Sequence, residues 1–314
     1  MADNCGSDSV FSKVAVDYTE DAPELADFTS GDKAFQILPN AGIKFNEEQI
    51  NPATLNGRIV EDAEQTVDGL KYWDDGFGVL FTPETIQSFI PYALGEAWGD
   101  TTANTVYPTD AVPDDINTLM HKDAYLYPYV NGKINTLTIS GEAGNPVQMQ
   151  FGFLGKNRLA LSAGSNWPSG LNVDVVAPYM FENCVVTVGG TVVKCRKWSI
   201  TRNNALGRRH WGTSTPDCIK RDGKTVTTIS LTLPHSTDIT ALFVNHTPNT
   251  RRNVVLTFTH PTAGMSCVIN LPYTQFPRKD PPIGGPEILV ETTGTARGYN
   301  GAREISVVND NVPT

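Results

Sequence analysis

The sequence predicts a mainly β fold: an antiparallel β-sandwich or partial barrel with one short helix and extended arms. Many short runs rich in Thr and Val lie between 27 glycines and 21 prolines, a spacing typical of all-β domains. Several runs alternate apolar and polar residues with a period of two, as half-buried strands do. The 314 residues suffice for one large β domain, which we divide into an N-terminal arm (1–55), a core (56–275) and a C-terminal extension with late strands (276–314).

The first 55 residues are polar, acidic and weakly patterned, so we expect an arm or long loops there. The start of the chain shows no basic segment followed by an apolar one, as a secretory signal would. No run approaches the roughly 18 apolar residues of a membrane span. We therefore expect a protein made in the cytosol that has no contact with a membrane.

One helix is predicted after residue 81. Thr82 can cap it, Pro83 suits its first position, and Gly95 can end it. The apolar side chains that would share one face are Ile86, Phe89, Ile90 and Leu94. Because Pro91 lacks a backbone donor and clashes with the preceding turn, we expect the helix to kink or end near Ile90.

Two features shape the predicted strands between residues 125 and 153. Asn131-Gly132 is a strong hairpin signal, and it predicts that residues 134–140 return against Leu126–Val130. Residues 134–140 and 147–153 alternate, so we expect them to pair through a turn at Gly141–Pro146. The predicted core side chains of this pair are Leu137, Ile139, Val147, Met149, Phe151 and Phe153, and the Thr- and Gln-bearing face should point outward.

A second hairpin is predicted at Gly189-Gly190, which would place Cys184 opposite Cys195 and Val186 on the core face. The five cysteines form no CxxC motif, so we expect these two to be reduced thiols packed like small apolar residues.

Alternating strands continue to the end of the chain. Trp198 and Ile200 share one predicted face, and residues 225–234, 253–260 and 266–272 repeat the pattern. The Pro-rich segment 279–286 resembles a hinge, and residues 287–294 and 304–308 read as late strands or an arm.

Charge is unevenly distributed along the chain. Residues 1–110 carry 20 acidic and 5 basic side chains, whereas residues 111–314 carry 14 and 19, for an overall charge of −10. An acidic protein binds nucleic acid poorly, but an acidic and a basic part can attract another copy of the same chain. Arg202, Arg208, Arg209 and Trp211 cluster in the basic part, and we predict them as a candidate subunit interface rather than a nucleic-acid patch.

Patterns that carry catalysis are absent from the sequence. The five histidines lie far apart, and neither a nucleophile elbow nor a phosphate-binding loop occurs. The adjacent carboxylates Asp74-Asp75 and Asp114-Asp115 should point apart on turns instead of converging on one bond. We therefore predict no catalytic, cofactor or metal site and no enzyme. A carbohydrate-binding β-sandwich, or a glycosidase built on one, is the alternative from another class, with Trp167 as a single ring that could stack on a sugar.

The order of four segments resembles bacteriophage tail tube proteins. They are "GFGVLFTPETIQSFIPYALG" (76–95), "YVNGKINTLTISGEAGNPVQMQFGFLGK" (129–156), "CVVTVGGTVVKCRKWSITRNNALGRRHW" (184–211) and "TVTTISLTLP" (225–234). The resemblance covers about residues 55–275, and it departs from the family at Pro91, the acidic N-terminal segment and the Pro-rich C-terminal extension.

This resemblance implies a non-enzymatic virion protein assembled in the host cytoplasm. Family members form β-sandwich subunits that assemble into rings, usually hexameric, and the rings stack into a tube through which DNA leaves the capsid without specific binding. The implied partners are further copies of the chain and the tail terminator, distal tail or baseplate, and tape-measure proteins. The outward Thr and Gln face would then meet the lumen or a neighbouring subunit, and a distal tail or hub protein with the same core is the closest alternative.

Overall fold

A computed structural model describes residues 11–17, 33–39, 42–50, 67–95, 105–122, 124–171, 173, 176–235, 250–261, 264–277, 288–299 and 303–310. Within these residues the fold is mainly β, its strands pair antiparallel, and it contains one α-helix, α1 (Pro83–Leu94). The predicted mainly β class with one helix is therefore confirmed. Among the described strands, the pairings do not close into a barrel.

Nineteen strands are described. In chain order they are β1 (Phe11–Asp17), β2 (Lys33–Phe35), β3 (Gly42–Ile50), β4 (Val67–Leu80), β5 (Thr105–Val106), β6 (Ile116–Lys122), β7 (Tyr125–Glu142), β8 (Gln148–Arg158), β9 (Ser162–Ala163), β10 (Cys184–Val188), β11 (Thr191–Val193), β12 (Lys197–Asn203), β13 (Leu206–Arg209), β14 (Cys218–Arg221), β15 (Val226–Pro234), β16 (Arg251–Thr259), β17 (Ser266–Gln275), β18 (Leu289–Ala296) and β19 (Ser306–Asp310).

The strands form two main groups. The first follows the order β3-β4-β8-β7-β12-β15-β18, and the second follows the order β11-β10-β16-β17-β19-β5. The groups meet where Thr274 of β17 pairs with Ala296 of β18. A smaller set, β2-β1-β6, continues from the N-terminal half of β7.

The core lies between the two main groups. Trp198 of β12 and Phe258 of β16 belong to strands that do not pair, yet their ring centroids are 5.6 Å apart. Phe81 and Tyr179 complete this contact, and all four side chains are fully buried. Helix α1 adds Phe89, which packs against Phe151 at 4.5 Å between ring centroids. The apolar faces of both groups are therefore covered by each other and by the helix.

The paired strands at residues 134–153 are confirmed. Leu137 pairs with Phe151 and Ile139 with Met149, and the chain returns through the turn between β7 and β8. Every predicted core side chain of this pair is buried, including Val147. A bulge between Ile134 and Thr136 interrupts this register.

The hairpin predicted at Asn131-Gly132 is wrong, because β7 runs through this dipeptide without turning. Asn131 has a φ of 52°, and the register between β6 and β7 shifts there, so the dipeptide forms a β-bulge. On the other edge the pairing continues, with Val130 opposite Asn157 and Gly132 opposite Gly155. Segment 134–140 consequently pairs with β8 and β12, and Leu126–Val130 pairs with β6.

The predicted helix end near Ile90 is also wrong, because α1 continues to Leu94. Thr82 caps its start in a reciprocal pair with Thr85, and Gly95 ends it with a φ of 90°. Pro91 removes one backbone donor, but Ile90, Ala93 and Leu94 are buried around it. Burial of this last turn outweighs the missing hydrogen bond.

The Gly189-Gly190 hairpin is confirmed, and both glycines have positive φ. Val186 pairs with Val193, which puts Cys184 and Cys195 in opposite positions just beyond the last paired residues. Both cysteines are free thiols, half-buried against the core. Burial raises the pKa of Cys195 to about 11 and raises that of Cys184 further.

The two ends of the chain also contribute strands. β1, β2 and β3 lie in the segment predicted as an arm, and Val14 and Val16 of β1 are fully buried. Near the C-terminus, β18 pairs with β15, and β19 pairs with β17. The hinge predicted at 279–286 lies outside the described residues.

Candidate assembly surfaces

The outward side of the first strand group carries two rows of uncharged polar residues, which we call the hydroxyl face. The strand registers align these residues across β8, β7, β12, β15 and β18. The first row is Gln148, Ser140, Ser199, Ser230 and Thr293, and the second is Gln150, Thr138, Thr201, Thr228 and Thr295.

This arrangement follows from strand alternation, because the residues between those of the rows point into the core. Neighbouring hydroxyls bond to each other: the oxygens of Thr138 and Thr201 are 3.3 Å apart, and those of Ser230 and Thr293 are 2.8 Å apart. No charged side chain belongs to either row. The face can therefore exchange hydrogen bonds with water or a neighbour, but it offers no cation to a phosphate.

A groove lies on the same side, beside Thr136, Thr138 and Gln150, and its floor is formed largely by glycines of β4 and β8. Lys44 and Asp75 are its charged residues, and they pair with each other at 2.7 Å between nitrogen and oxygen. Asp74 faces elsewhere, accepting a hydrogen bond from Asn46. The adjacent carboxylates thus diverge, as predicted, and do not approach one bond from two sides.

A second surface is a small two-stranded unit, residues 206–221, which we call the Trp211 hairpin. It consists of β13 and β14 and the loop between them, and these strands pair with each other apart from the main sheet. Trp211 lies in the loop with 66% of its surface exposed. The loop carbonyl of Ser214 accepts a hydrogen bond from the backbone N–H of Lys71, so the loop is attached to β4.

The base of the hairpin is fixed by polar contacts. Asn204, which is buried, donates to the carbonyl oxygens of Ala93 and Ile134, each at 2.9 Å. Arg208 donates to the carbonyl of Trp73 at 2.6 Å, and its guanidinium lies over the ring of Tyr72. The hairpin is therefore a defined element of the fold.

The structure separates the four predicted interface residues. Arg202 is buried, where it pairs with Glu304 and donates to Asn204 and Thr227. Burial lowers its pKa, and the Glu304 carboxylate opposes that shift. Arg202 has the same parity along β12 as Trp198 and Ile200, a sequence signal that could have placed it on the core face instead of at an interface.

The other three predicted residues lie in the hairpin. Arg208 is mostly covered, and Arg209 is half-exposed and pairs with Asp222. Trp211 is the one predicted residue with a largely exposed side chain. Sequence reasoning missed exposed Lys220, whose ammonium lies 5.5 Å from the Trp211 ring centroid, because only the pairing of β13 with β14 brings the two together.

The remaining candidates for chemistry are engaged in the fold. Trp167 is half-buried under the ammonium of Lys13, 4.0 Å from its ring centroid, and meets His121 edge-on. Within the described residues, no group of three or more His, Cys, Asp or Glu could hold a metal ion, and no helix is long and apolar enough to cross a membrane.

No curated protein matches the chain. A family model described as phage tail tube protein matches residues 25–296.

Proposed function

The chain belongs to the phage tail tube protein family, and we propose that its copies form hexameric rings that stack into the conduit for genome ejection. As a member of that family it is a structural component of the virion tail. In the proposal each subunit supplies one sector of the tube wall and acts through its shape and surface, without catalysis.

The hydroxyl face carries this proposal. It spans five strands, its ten residues are uncharged, and its exposed members include Gln150 and Thr293. Sliding DNA requires a wall without cations, since each phosphate that pairs with Lys or Arg slows release. A wall of hydroxyls and amides stays hydrated and offers phosphates only uncharged hydrogen-bond donors, which exchange with water, and no cation to pair with. We therefore propose that this face lines the conduit. The row at its border carries Glu142, Lys197 and Glu291; the Lys197 ammonium pairs with the Glu142 carboxylate at 3.6 Å, and Glu291 adds negative charge.

Strand edges support assembly with further copies. In the described part of the chain, β3 pairs on one side with β4 and β11 pairs on one side with β10, so each has a free edge. Edges of this kind bind a neighbouring strand readily. Contacts between different patches on successive copies generate closed rings when the rotation from one copy to the next closes.

Further partners follow from membership of the family. We propose that tube ends contact tail terminator, distal tail or baseplate, and tape-measure proteins, and that assembly takes place in the host cytoplasm. DNA would pass through the lumen without specific binding.

Electron microscopy of the purified protein tests the proposal. A tube subunit should polymerise into long regular tubes built of six-fold rings, whereas a hub or distal tail protein should stop at a single ring. A glycan-binding screen covers the alternative of a carbohydrate-binding β-sandwich. Monomers that bind a glycan and never polymerise would contradict the proposed function.

A further inference from the structure

We infer that the Trp211 hairpin is a preformed docking element through which one copy of the chain binds a second copy, an inference that rests on the proposed tube assembly. Trp211, Lys220 and Asp217 carry it. Trp211 is the aromatic anchor, Lys220 places a positive charge beside it, and Asp217 holds the loop by hydrogen bonds.

The anchor is a large aromatic side chain that the subunit itself does not cover. Trp211 is 66% exposed, whereas Trp73 and Trp198 are fully buried. A Trp side chain can bury about 150–250 Å² at a contact, and Trp is enriched among the residues that dominate binding energy. Most of the ring is therefore available to a partner.

The loop is ordered before any partner arrives. The Asp217 carboxylate accepts hydrogen bonds from the backbone N–H of Trp211 at 2.6 Å and from the hydroxyl of Thr213 at 3.1 Å. The backbone N–H of Asp217 donates to the carbonyl of Arg209 at 2.9 Å, and Gly212 takes a φ of 99° that suits glycine. Because the loop is already fixed, docking loses little conformational entropy.

The charges of the hairpin favour a protein partner over nucleic acid. Arg208 and Arg209 already contact Asp74 and Asp222, and Arg221 donates to the carbonyls of Asp110 and Ala111. At the exposed tip Lys220 is a single cation, and the Asp217 carboxylate beside it is hydrogen-bonded within the loop, so the tip carries no cluster of cations. Phosphate binding requires clustered free cations, which this tip does not offer.

A second copy supplies complementary chemistry. The first 110 residues of the chain carry 20 acidic and 5 basic side chains, and the exposed ammonium of Lys220 beside the Trp211 ring complements that negative balance. A hairpin that docks on this acidic part joins two different patches. Such a contact is heterologous and propagates around a ring or along a stack.

The test compares Trp211→Ala with Leu161→Ala in the full-length chain. Leu161 is a matched control because it is an exposed apolar side chain in a loop, 45% exposed, at another site. Both variants should have the same melting temperature as the parent chain. We expect Trp211→Ala to raise the concentration needed for assembly at least about tenfold, measured by sedimentation and electron microscopy, and Leu161→Ala to leave it unchanged. Trp211→Phe should restore part of the loss.

A second readout follows the contact itself. In a Trp211→Cys variant, maleimide should label the introduced thiol in dissociated subunits and label it more slowly in assemblies, with the parent chain as the background for native thiols. Unlike the loss of assembly, this protection reports where the contact lies.

The outcomes separate this inference from the proposed function. Two results together would overturn the docking role and leave the tube proposal standing: Trp211→Ala tubes that form as readily as those of the parent, and a Trp211→Cys thiol that reacts as fast in assemblies as in dissociated subunits. Rings or dimers that depend on Trp211 but never elongate would support docking and contradict the tube. A parent chain that stays monomeric at every concentration would contradict both.

Discussion

Trp73 lies across two glycines of adjacent strands. A Cβ atom at Gly155 would be 1.8 Å from the Trp73 ring, and one at Gly132 would be 2.2 Å from it. The indole N–H donates to the carbonyl of Val130 at 2.9 Å, so the ring is held in place above them. These glycines serve close packing of an indole ring within the core.

Gly155→Ala should therefore destabilise the protein by about 1–3 kcal/mol, because the new methyl group must displace a buried ring. Gly42→Ala is the matched control, since a Cβ at Gly42, also in a strand, meets nothing within 4 Å. Urea unfolding measures both variants. Equal stability of the two variants would show that Trp73 can shift at no cost.

Buried thiols and phenols make stability depend on alkaline pH. Burial raises the pKa of Cys195 to about 11 and that of Tyr129 to about 12, from ordinary values of 9.0 and 10.0. The folded state keeps these protons longer than the unfolded state does. Their contribution to stability is therefore complete below about pH 9 and is lost as the pH rises towards 11–12.

Urea unfolding at about pH 7.5, 9 and 10.5 tests this dependence. We expect the free energy of unfolding to be level up to about pH 8.5 and to fall above it. Cys195→Ser should make the fall shallower. Stability that increases between about pH 9 and 10.5 would contradict the raised pKa values.

The alternation of side chains along a strand could have assigned Arg202 to the core face from the sequence alone. It lies two residues after Ile200 and four after Trp198, so alternation places it on the core side. The interface hypothesis grouped it with Arg208 and Arg209 by proximity in sequence. Its partner Glu304 is 102 residues away, so no local sequence pattern predicts that ion pair.

At the scale of elements, β7 shows how one dipeptide can serve two structures. Asn-Gly favours a hairpin because its residues tolerate positive φ, but a β-bulge uses the same tolerance. The choice depends on the continued pairing with β8 and on the bond from Asn131 N–H to the Asn117 side chain at 2.9 Å. Strand β8 and Asn117 are both outside the local sequence around Asn131. The alternating pattern therefore predicted the strand correctly, whereas the local Asn-Gly signal predicted a hairpin that does not form.

Substitution of Asn131 tests the bulge. Asn131→Val should cost about 1–2 kcal/mol, because a β-branched residue resists the left-handed conformation seen at φ 52°. Asn131→Gly should stay within about 0.5 kcal/mol of the parent, since glycine adopts this conformation freely. Thermal melts of the two variants provide the comparison, and a Val variant as stable as the Gly variant would argue against the bulge.

For the whole molecule, the sequence predicts which residues of a strand face the core, but it does not predict which strands pair with each other. The confirmed core residues of β7, β8, β12 and β15 follow from period-two patterns. The hydroxyl face could be expected one strand at a time, as in Thr138 and Ser140, whereas its five-strand extent depends on registers between distant segments. The Trp211 hairpin likewise depends on the pairing of β13 with β14 outside the main sheet, which the sequence pattern did not predict.

The position of the hydroxyl face in the assembly can be tested with a single lysine. Thr228 lies within the face, flanked by Thr201 and Thr295. If the face lines the conduit, Thr228→Lys should fold and assemble normally, because a lysine can extend into an open lumen. Repetition in every subunit would then place a ring of cations in each layer of the wall, and phosphates would bind it in a salt-dependent manner.

Tubes assembled with short duplex DNA should therefore retain nuclease-protected DNA in the Thr228→Lys variant and release it at high salt. Thr257→Lys is the matched control, because Thr257 is a partly exposed threonine on β16, in the second strand group, opposite Val185. A lysine there should leave any bound DNA open to nuclease. If Thr228→Lys instead abolishes assembly while its melting temperature is unchanged, the hydroxyl face lies at a seam between subunits, where a lysine loses its hydration without gaining a partner.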